Sequence, residues 1–278
     1  MIIDGHVHIC PDRIAAASAK VFFERNKFAW VYDGTVGTLI RLMDENEIDK
    51  AIITNNVIDP NYVPKANDYT ASRVKEFPDR LMGFVYGHPD CKDGPGEIER
   101  CVKTLGFKAI KINGSLLRYF PEDERMFSQY EKAIELGIPI LAHCGPNVEN
   151  FFKDPEEIKD RQYAEPKSWI PVLKRFPDLK IILAHFVGST HYYDDAMQVL
   201  EEFPEVYTDC SMVLSRLNSE EATSFIKKIG VARVIFGTDY PGHEMDIEIN
   251  RVKGLDLTDE EKEMIFSKNF IRLFELDG

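Results

Sequence analysis

Short apolar runs recur along this chain, and between them hydrophobic residues take the wider spacing of amphipathic helices. The runs rich in β-branched and aromatic residues predict strands at 2–8, 51–55, 81–86, 107–112, 138–142, 180–184, 206–209 and 234–237. Helical stretches of roughly 10–18 residues separate most of them, the signature of repeated βαβ units and a parallel sheet. Phe-Pro-Asp or Phe-Pro-Glu ends a helix and opens a strand at Phe77-Pro78-Asp79, Phe176-Pro177-Asp178 and Phe203-Pro204-Glu205. Proline cannot continue a helix, which explains the stop. In other units Gly106, Gly137 and Gly230 take that place, suited to a left-handed helix cap. Helix-to-strand joins are short, whereas strand-to-helix joins include the long segments 9–34 and 145–165. That asymmetry predicts an α/β fold in which residues 1–278 form a single-domain (β/α)8 TIM barrel, with long loops after strands 1 and 5 on its top face. An open doubly wound sheet would carry a glycine-rich phosphate turn after the first strand. Here that turn reads His8-Ile9-Cys10-Pro11.

Composition narrows the function classes. With 44% apolar and 29% charged residues the chain has the make-up of an ordinary globular protein. A net charge of −13 argues against nucleic acid and against an anionic membrane surface. No apolar run reaches the roughly 18 residues of a membrane span. The first strand begins at Ile2 with no basic or apolar segment ahead of it, so no signal peptide is expected. The five cysteines (Cys10, Cys91, Cys101, Cys144 and Cys210) are odd in number and form no C-x-x-C pair, which suits reduced thiols in a cytoplasm.

The chemistry gathers at strand ends. His6 and His8 fall two apart on the first strand, so their side chains share a face. All seven histidines sit at the C-terminal end of a predicted strand or in the loop after it, the end where barrel active sites lie. His143 closes strand five, His185 strand six and Asp239 strand eight, each after a buried-type apolar run. A titratable group there is costly without a partner. Imidazoles satisfied by backbone carbonyls, and a turn or helix-cap role for Asp239, are the structural alternatives. A metal is the functional one: three imidazoles and one carboxylate suit a single divalent ion, zinc first, with Mn2+, Co2+ or Fe2+ compatible.

Several segments, in order, resemble a known family: Asp4-Gly5-His6-Val7-His8, Leu105-Gly106-Phe107-Lys108, Ala142-His143, Ala184-His185, Phe236-Gly237-Thr238-Asp239-Tyr240-Pro241 and the tail from Asn269 to Phe274. Together they resemble the amidohydrolase superfamily, and more closely its amidohydrolase-2 branch, which includes aminocarboxymuconate semialdehyde decarboxylase. The resemblance implies one catalytic metal, with His6, His8 and His143 as ligands. Asp239 would ligate or lie against the ion and handle a proton, and His185 would be catalytic. Dinuclear members of the superfamily bridge two ions with a carboxylated lysine from strand four, where this chain offers Lys108 and Lys111; likeness to the mononuclear branch favours one. Phe186 stands where glycines are common in the branch, and is expected to narrow the pocket.

A metal-lowered water pKa near about 7 would supply hydroxide to attack an amide, ester or lactone of a small organic acid. The alternative on the same parts is non-oxidative decarboxylation of an aromatic or muconate-like acid. Lys111, His88 and His191 are candidates to meet that substrate, and Arg118 and Arg216 are candidate clamps for its carboxylate. Phe22, Phe23, Phe28, Trp30 and Tyr32 in the first loop, with Phe151, Phe152 and Tyr163 in the fifth, either wall the pocket or pack the loops themselves. Likeness to the branch also points to a homodimer.

Overall fold

Eight apolar segments pair as strands: β1 (Ile3–His8), β2 (Lys50–Thr54), β3 (Leu81–Tyr86), β4 (Ala109–Ile112), β5 (Ile140–Ala142), β6 (Ile181–Leu183), β7 (Tyr207–Asp209) and β8 (Val234–Ile235). The computed structural model describes residues 1–158 and 160–276. Every neighbouring pair from β1 to β8 is parallel and in chain order. The sheet then closes on itself. The Gly5 N–H donates to the Phe236 carbonyl at 3.0 Å, the Asp239 N–H to that of His6 at 2.8 Å, and the His8 N–H to that of Tyr240 at 2.7 Å. Closure leaves no free strand edge, and the result is the (β/α)8 barrel.

Most paired segments are shorter than the apolar runs that predict them. Pro139 illustrates why: its carbonyl accepts from Ile110 N–H at 3.1 Å, but it has no N–H to donate, so β5 begins at Ile140. The helix stops fall where expected, with Phe77, Phe176 and Phe203 at C-cap positions and Gly106 and Gly137 left-handed at φ +74° and +67°. Gly230 differs: at φ +94°, ψ 120° it ends its helix in an extended positive-φ conformation and leads into a 3-10 turn.

The first long loop is not loop throughout. It contains helix α1 (Ala15–Asn26), which buries only Ala15 and Asn26 and leaves Val21 and Phe23 exposed. A helix that packs so little of itself shows no apolar stripe in its sequence. Inside the barrel, Ile3, Ile52, Phe84, Leu141, Ile182 and Ile235 form one cluster, closed off by Phe270, Leu273 and Phe274 of the C-terminal segment. A second, larger cluster fills the space between sheet and helices, with Leu39, Ile53, Val85, Tyr130 and Ile226 among its members. Each such side chain contributes about 1.5–3 kcal/mol on burial, so the strands are fixed from both faces. All five cysteines are unpaired, and among the described residues no helix is long and apolar enough to cross a membrane.

Candidate metal centre

The C-terminal strand ends aim a set of buried polar groups at one point. On β1 the register shifts between Asp4 and Val7. There Asp4 accepts from Thr238 N–H at 3.0 Å, Thr238 Oγ1 at 2.6 Å and His6 N–H at 3.1 Å. These bonds tie β1 to the segment after β8, and burial raises the Asp4 pKa to about 7 despite them. His6 and His8 follow with ring centroids 5.2 Å apart. The Nε2 atom of each lies 3.3 Å from Asp239 Oδ1. Bonds of about 2.0–2.2 Å to one ion separate neighbouring ligand atoms by roughly this much.

Lys111 on β4 is fully buried, and its Nζ donates to His6 Nε2 at 2.7 Å. Burial lowers its pKa to about 8. His143 takes a different place from the one expected. It lines the same cavity, but among the described residues the close groups of ligand atoms are His6, His8 and Asp239, and His6, His185 and Asp209. His143 Nδ1 instead stands 3.2 Å from His185 Nε2.

That contact is informative. His143 Nε2 faces the Pro146 carbonyl at 3.1 Å and His185 Nδ1 faces the Ser211 carbonyl at 3.0 Å. A carbonyl only accepts, so each of those nitrogens carries the ring's proton. Neutral His143 and His185 therefore turn two lone pairs toward each other. Burial keeps both rings neutral, lowering His143 to about 3 and His185 below its usual range. Two facing lone pairs call for a cation. His8 adds a buried Nδ1 with no partner and a pKa lowered by burial to about 4. Burial works against charge on Asp239 too, yet His6 and His8 outweigh it and hold the carboxyl well below the usual range. Neutral imidazoles and an ionised carboxylate are the protonation states a divalent ion requires. The donor set fits one.

The cavity at this point is small, about 50 Å³. Its polar wall includes His6, His8, Lys111, His143, His185 and Asp239; Phe22, Phe28, Trp30, Phe151 and Met212 contribute to the apolar wall. Of the loop aromatics, Phe23 and Phe152 are instead exposed, and Tyr32 stacks on Tyr240. A groove of about 950 Å³ adjoins the cavity and shares His8, Phe22, Trp30 and Asn56 with it.

Four expected substrate contacts lie outside this cavity. His88 Nε2 bonds to the Ile58 carbonyl at 3.1 Å while its Nδ1 accepts from Asp90 N–H at 3.0 Å. His191 Nε2 bonds to the Lys153 carbonyl at 3.2 Å. Arg118 pairs with Glu149 at 2.8 Å. Arg216 bonds to the Phe151 carbonyl, its guanidinium 5.2 Å from that ring's centroid. The reason is common to three of them: long loops leave backbone carbonyls that need donors, and His88, His191 and Arg216 supply them. Phe186 does not narrow the pocket either, since its ring packs outward on Phe225 at 4.9 Å.

Asp209 and Ser211 were not foreseen. Asp209 ends β7 fully buried, with Oδ2 2.8 Å from His6 Nδ1. Burial opposes its charge, but His6 outweighs that and holds the carboxyl well below the usual range. The available signal was the one that marked Asp239, a carboxylate at a strand's C-terminal end.

Comparison with known proteins identifies the family and the fold. The sequence model of the amidohydrolase family matches residues 3–276. The 2-amino-3-carboxymuconate-6-semialdehyde decarboxylase of Dictyostelium discoideum is 27% identical over 209 residues, 63% of this chain and only 55% of that protein's length. The gamma-resorcylate decarboxylase of Polaromonas sp. is 24% identical over 290 residues, covering 86% of each chain. A crystal structure of a dihydroxybenzoic acid decarboxylase from Polaromonas sp. JS666, with bound manganese and the inhibitor 2-nitroresorcinol, shares the fold. It has a TM-score of 0.73 at 20% identity, covering 99% of this chain and 96% of that one.

Proposed function

The chain belongs to the amidohydrolase family, and from that premise we propose that it is a metal-dependent carboxy-lyase releasing carbon dioxide from a small aromatic or muconate-like acid. The observation that carries this reading is the meeting, in one small cavity, of a metal-type donor wall with an aromatic wall. Phe22, Phe28, Trp30 and Phe151 suit the faces of a planar ring. Such walls also exclude water, which strengthens every electrostatic contact inside. Hydrolysis, the first expectation from sequence, needs a water nucleophile and an exit for a leaving group. The two curated relatives described above carry decarboxylase names, which also favours loss of carbon dioxide.

His6, His8 and Asp239, with His143 beside them, would hold one divalent ion, which when bound supplies electrophilic anchoring for anionic substrate oxygens. The chain's own residues do the rest. The aromatic wall sets the ring's plane and keeps water from the carbon that loses its carboxyl group. His185 Nδ1 donates to the Ser211 carbonyl, so its Nε2 faces the cavity. When the carbon–carboxylate bond breaks, its electron pair stays on the substrate carbon. One proton must then reach that carbon; Asp239, ionised at rest, holds none of its own, so its role is to take up a proton inside the cavity and pass it to the carbon. The balance is one carboxylate and one proton in, one decarboxylated product and carbon dioxide out.

The test is a panel assay on protein reconstituted with Zn2+ or Mn2+. Dihydroxybenzoates and muconate-like acids are compared with lactones, esters and small amides, and carbon dioxide and product are both followed. The expected result is carbon dioxide from at least one aromatic or muconate-like acid. Turnover confined to the lactones, esters or amides would return the chain to hydrolysis.

A further inference from the structure

A buried pair at the end of β7 and just beyond it, Asp209 and Ser211, touches both histidines whose lone pairs matter most. Asp209 Oδ1 accepts from His185 N–H at 3.0 Å, Ser211 N–H at 3.0 Å and Ser211 Oγ at 2.6 Å. Asp209 Oδ2 lies 2.8 Å from His6 Nδ1. Ser211 Oγ lies 3.2 Å from His6 Nδ1 and 3.0 Å from His185 Nδ1. A serine hydroxyl has a single hydrogen, and its shortest contact commits that hydrogen to Asp209. Toward both imidazoles Ser211 Oγ is then an acceptor only. His6 Nδ1 sees two acceptors, Asp209 Oδ2 and Ser211 Oγ. His185 Nδ1 sees two more, Ser211 Oγ and the Ser211 carbonyl.

We propose that Asp209 is a positioning residue that locks His6 as its Nδ1–H tautomer, in step with His185, which the Ser211 carbonyl holds the same way, so that both Nε2 lone pairs face the centre. This rests on the metal-site reading above. The Asp209 bond also makes His6 a better donor, as outer carboxylates do for ligating imidazoles. Asp209 has a second reading as a ligand, since its carboxylate, His6 and His185 also bring ligand atoms together. The hydrogen bonds oppose it. Oδ1 already takes three donors, and Oδ2 takes the proton of the only His6 nitrogen that faces it.

The replacement Asp209→Asn turns this into a sharp test. Three donors at Oδ1 keep the amide oxygen there, so the amide NH2 must occupy the place of Oδ2 and point at His6 Nδ1. Two donors cannot face each other. This pushes the His6 proton to Nε2, where Asp239 Oδ1 at 3.3 Å accepts it, against Lys111 Nζ, which faces the same nitrogen at 2.7 Å, and Ser211 Oγ, which still accepts at Nδ1; the inward lone pair is then lost. His185 keeps its tautomer, because the Ser211 carbonyl is unchanged. Ser211→Ala leaves an acceptor for each ring and changes neither.

The measurement is long-range 1H–15N correlation of the histidine rings in full-length, metal-free protein at neutral pH, paired with calorimetric titration by Mn2+ and Zn2+. Wild type should show His6 and His185 as Nδ1–H. Asp209→Asn should show His6 as Nε2–H, with ion affinity reduced about 10–100-fold. Ser211→Ala should stay within about threefold. His6 or His185 observed as Nε2–H in wild type would overturn the proposal even if the variant does not fold. Unchanged tautomer and affinity in a folded Asp209→Asn would overturn it as well. Wild type with both predicted tautomers and no affinity for either ion would uphold the lock and remove the metal reading instead.

Discussion

Gly188→Ala should destabilise this protein by far more than an ordinary glycine replacement, and the reason lies between the His143 and His185 loops. A Cβ at Gly188 would stand 2.7 Å from Gly145 Cα and 3.1 Å from Gly145 N. Both neighbours are backbone, so only movement of the chain relieves the clash. Gly188 also holds φ +67°, which costs an L side chain about 1 kcal/mol. Forced overpacking adds about 1–3 kcal/mol, for a total of about 2–4 kcal/mol. Gly106→Ala is the internal reference, with φ +74° and no heavy atom within 4 Å of the added carbon. It bears the conformational cost alone, about 1 kcal/mol. At this chain length each kcal/mol moves Tm by about 2–4 °C, so the difference of about 1–3 kcal/mol should place the two variants about 2–12 °C apart by calorimetry. Gly145 and Gly188 lie two and three residues beyond His143 and His185, so Gly188→Ala should also weaken divalent-ion binding where Gly106→Ala does not. Equal loss of Tm in the two variants would refute the reasoning.

Two further outcomes follow from the site and its surroundings. Chelation should abolish activity, and Mn2+ or Zn2+ at about 100 times its Kd should restore it and stabilise the fold by about 2.7 kcal/mol; an unmoved melting curve counts against the centre. Glu248 is fully buried, and its Oε1 lies 3.2 Å from His243 Nε2, with Glu244 on the ring's other nitrogen and Asp209 and Arg251 also facing Glu248. Burial raises the Glu248 pKa, and although burial lowers His243, Glu248 outweighs it and raises that one too. Both folded-state values lie above the unfolded ones of about 4.3 and 6.5, so the stability they contribute is present at low pH and lost as pH rises through the folded values. The advantage of wild type over Glu248→Gln in urea midpoint should therefore shrink from about pH 5 to pH 8; a gap that widens contradicts the assignment.

The barrel was readable because its punctuation is local. Phe77-Pro78, Phe176-Pro177 and Phe203-Pro204 stop helices through chemistry contained in two residues. The candidate site was readable where a polar residue ends a long apolar run, as His143, His185 and Asp239 do. Asp209 ends a shorter run whose preceding residue, Thr208, is itself polar. Its importance lies in bonds to residues 6 and 185, which no local window contains. Arg118 and Arg216 misled for the opposite reason. Each stands after a strand as a substrate clamp would, yet a neighbouring loop claims it first. Helix α1 was hidden because it buries almost none of its apolar surface.

His185 itself sits where local propensity points the wrong way. His185, Phe186 and Val187 hold φ values of 60°, 49° and 56°, ahead of Gly188. Three consecutive left-handed residues cost about 1–2 kcal/mol each, and a β-branched valine is an outlier there. A glycine at position 186 would avoid part of that cost. Here the neighbouring strand offsets it. Asp209 Oδ1 accepts from His185 N–H, and Thr208 Oγ1 accepts from Val187 N–H at 3.1 Å while donating to the Leu183 carbonyl at 2.6 Å. Phe186 and Val187 are both fully buried, each contributing about 1.5–3 kcal/mol. Packing and β7 together can therefore hold a turn that its own sequence disfavours, and strain of this kind persists only where the surroundings over-determine it. The turn directs His185 Nε2 at His143, so the position of that lone pair is set by side chains of β7 as much as by the segment that carries it.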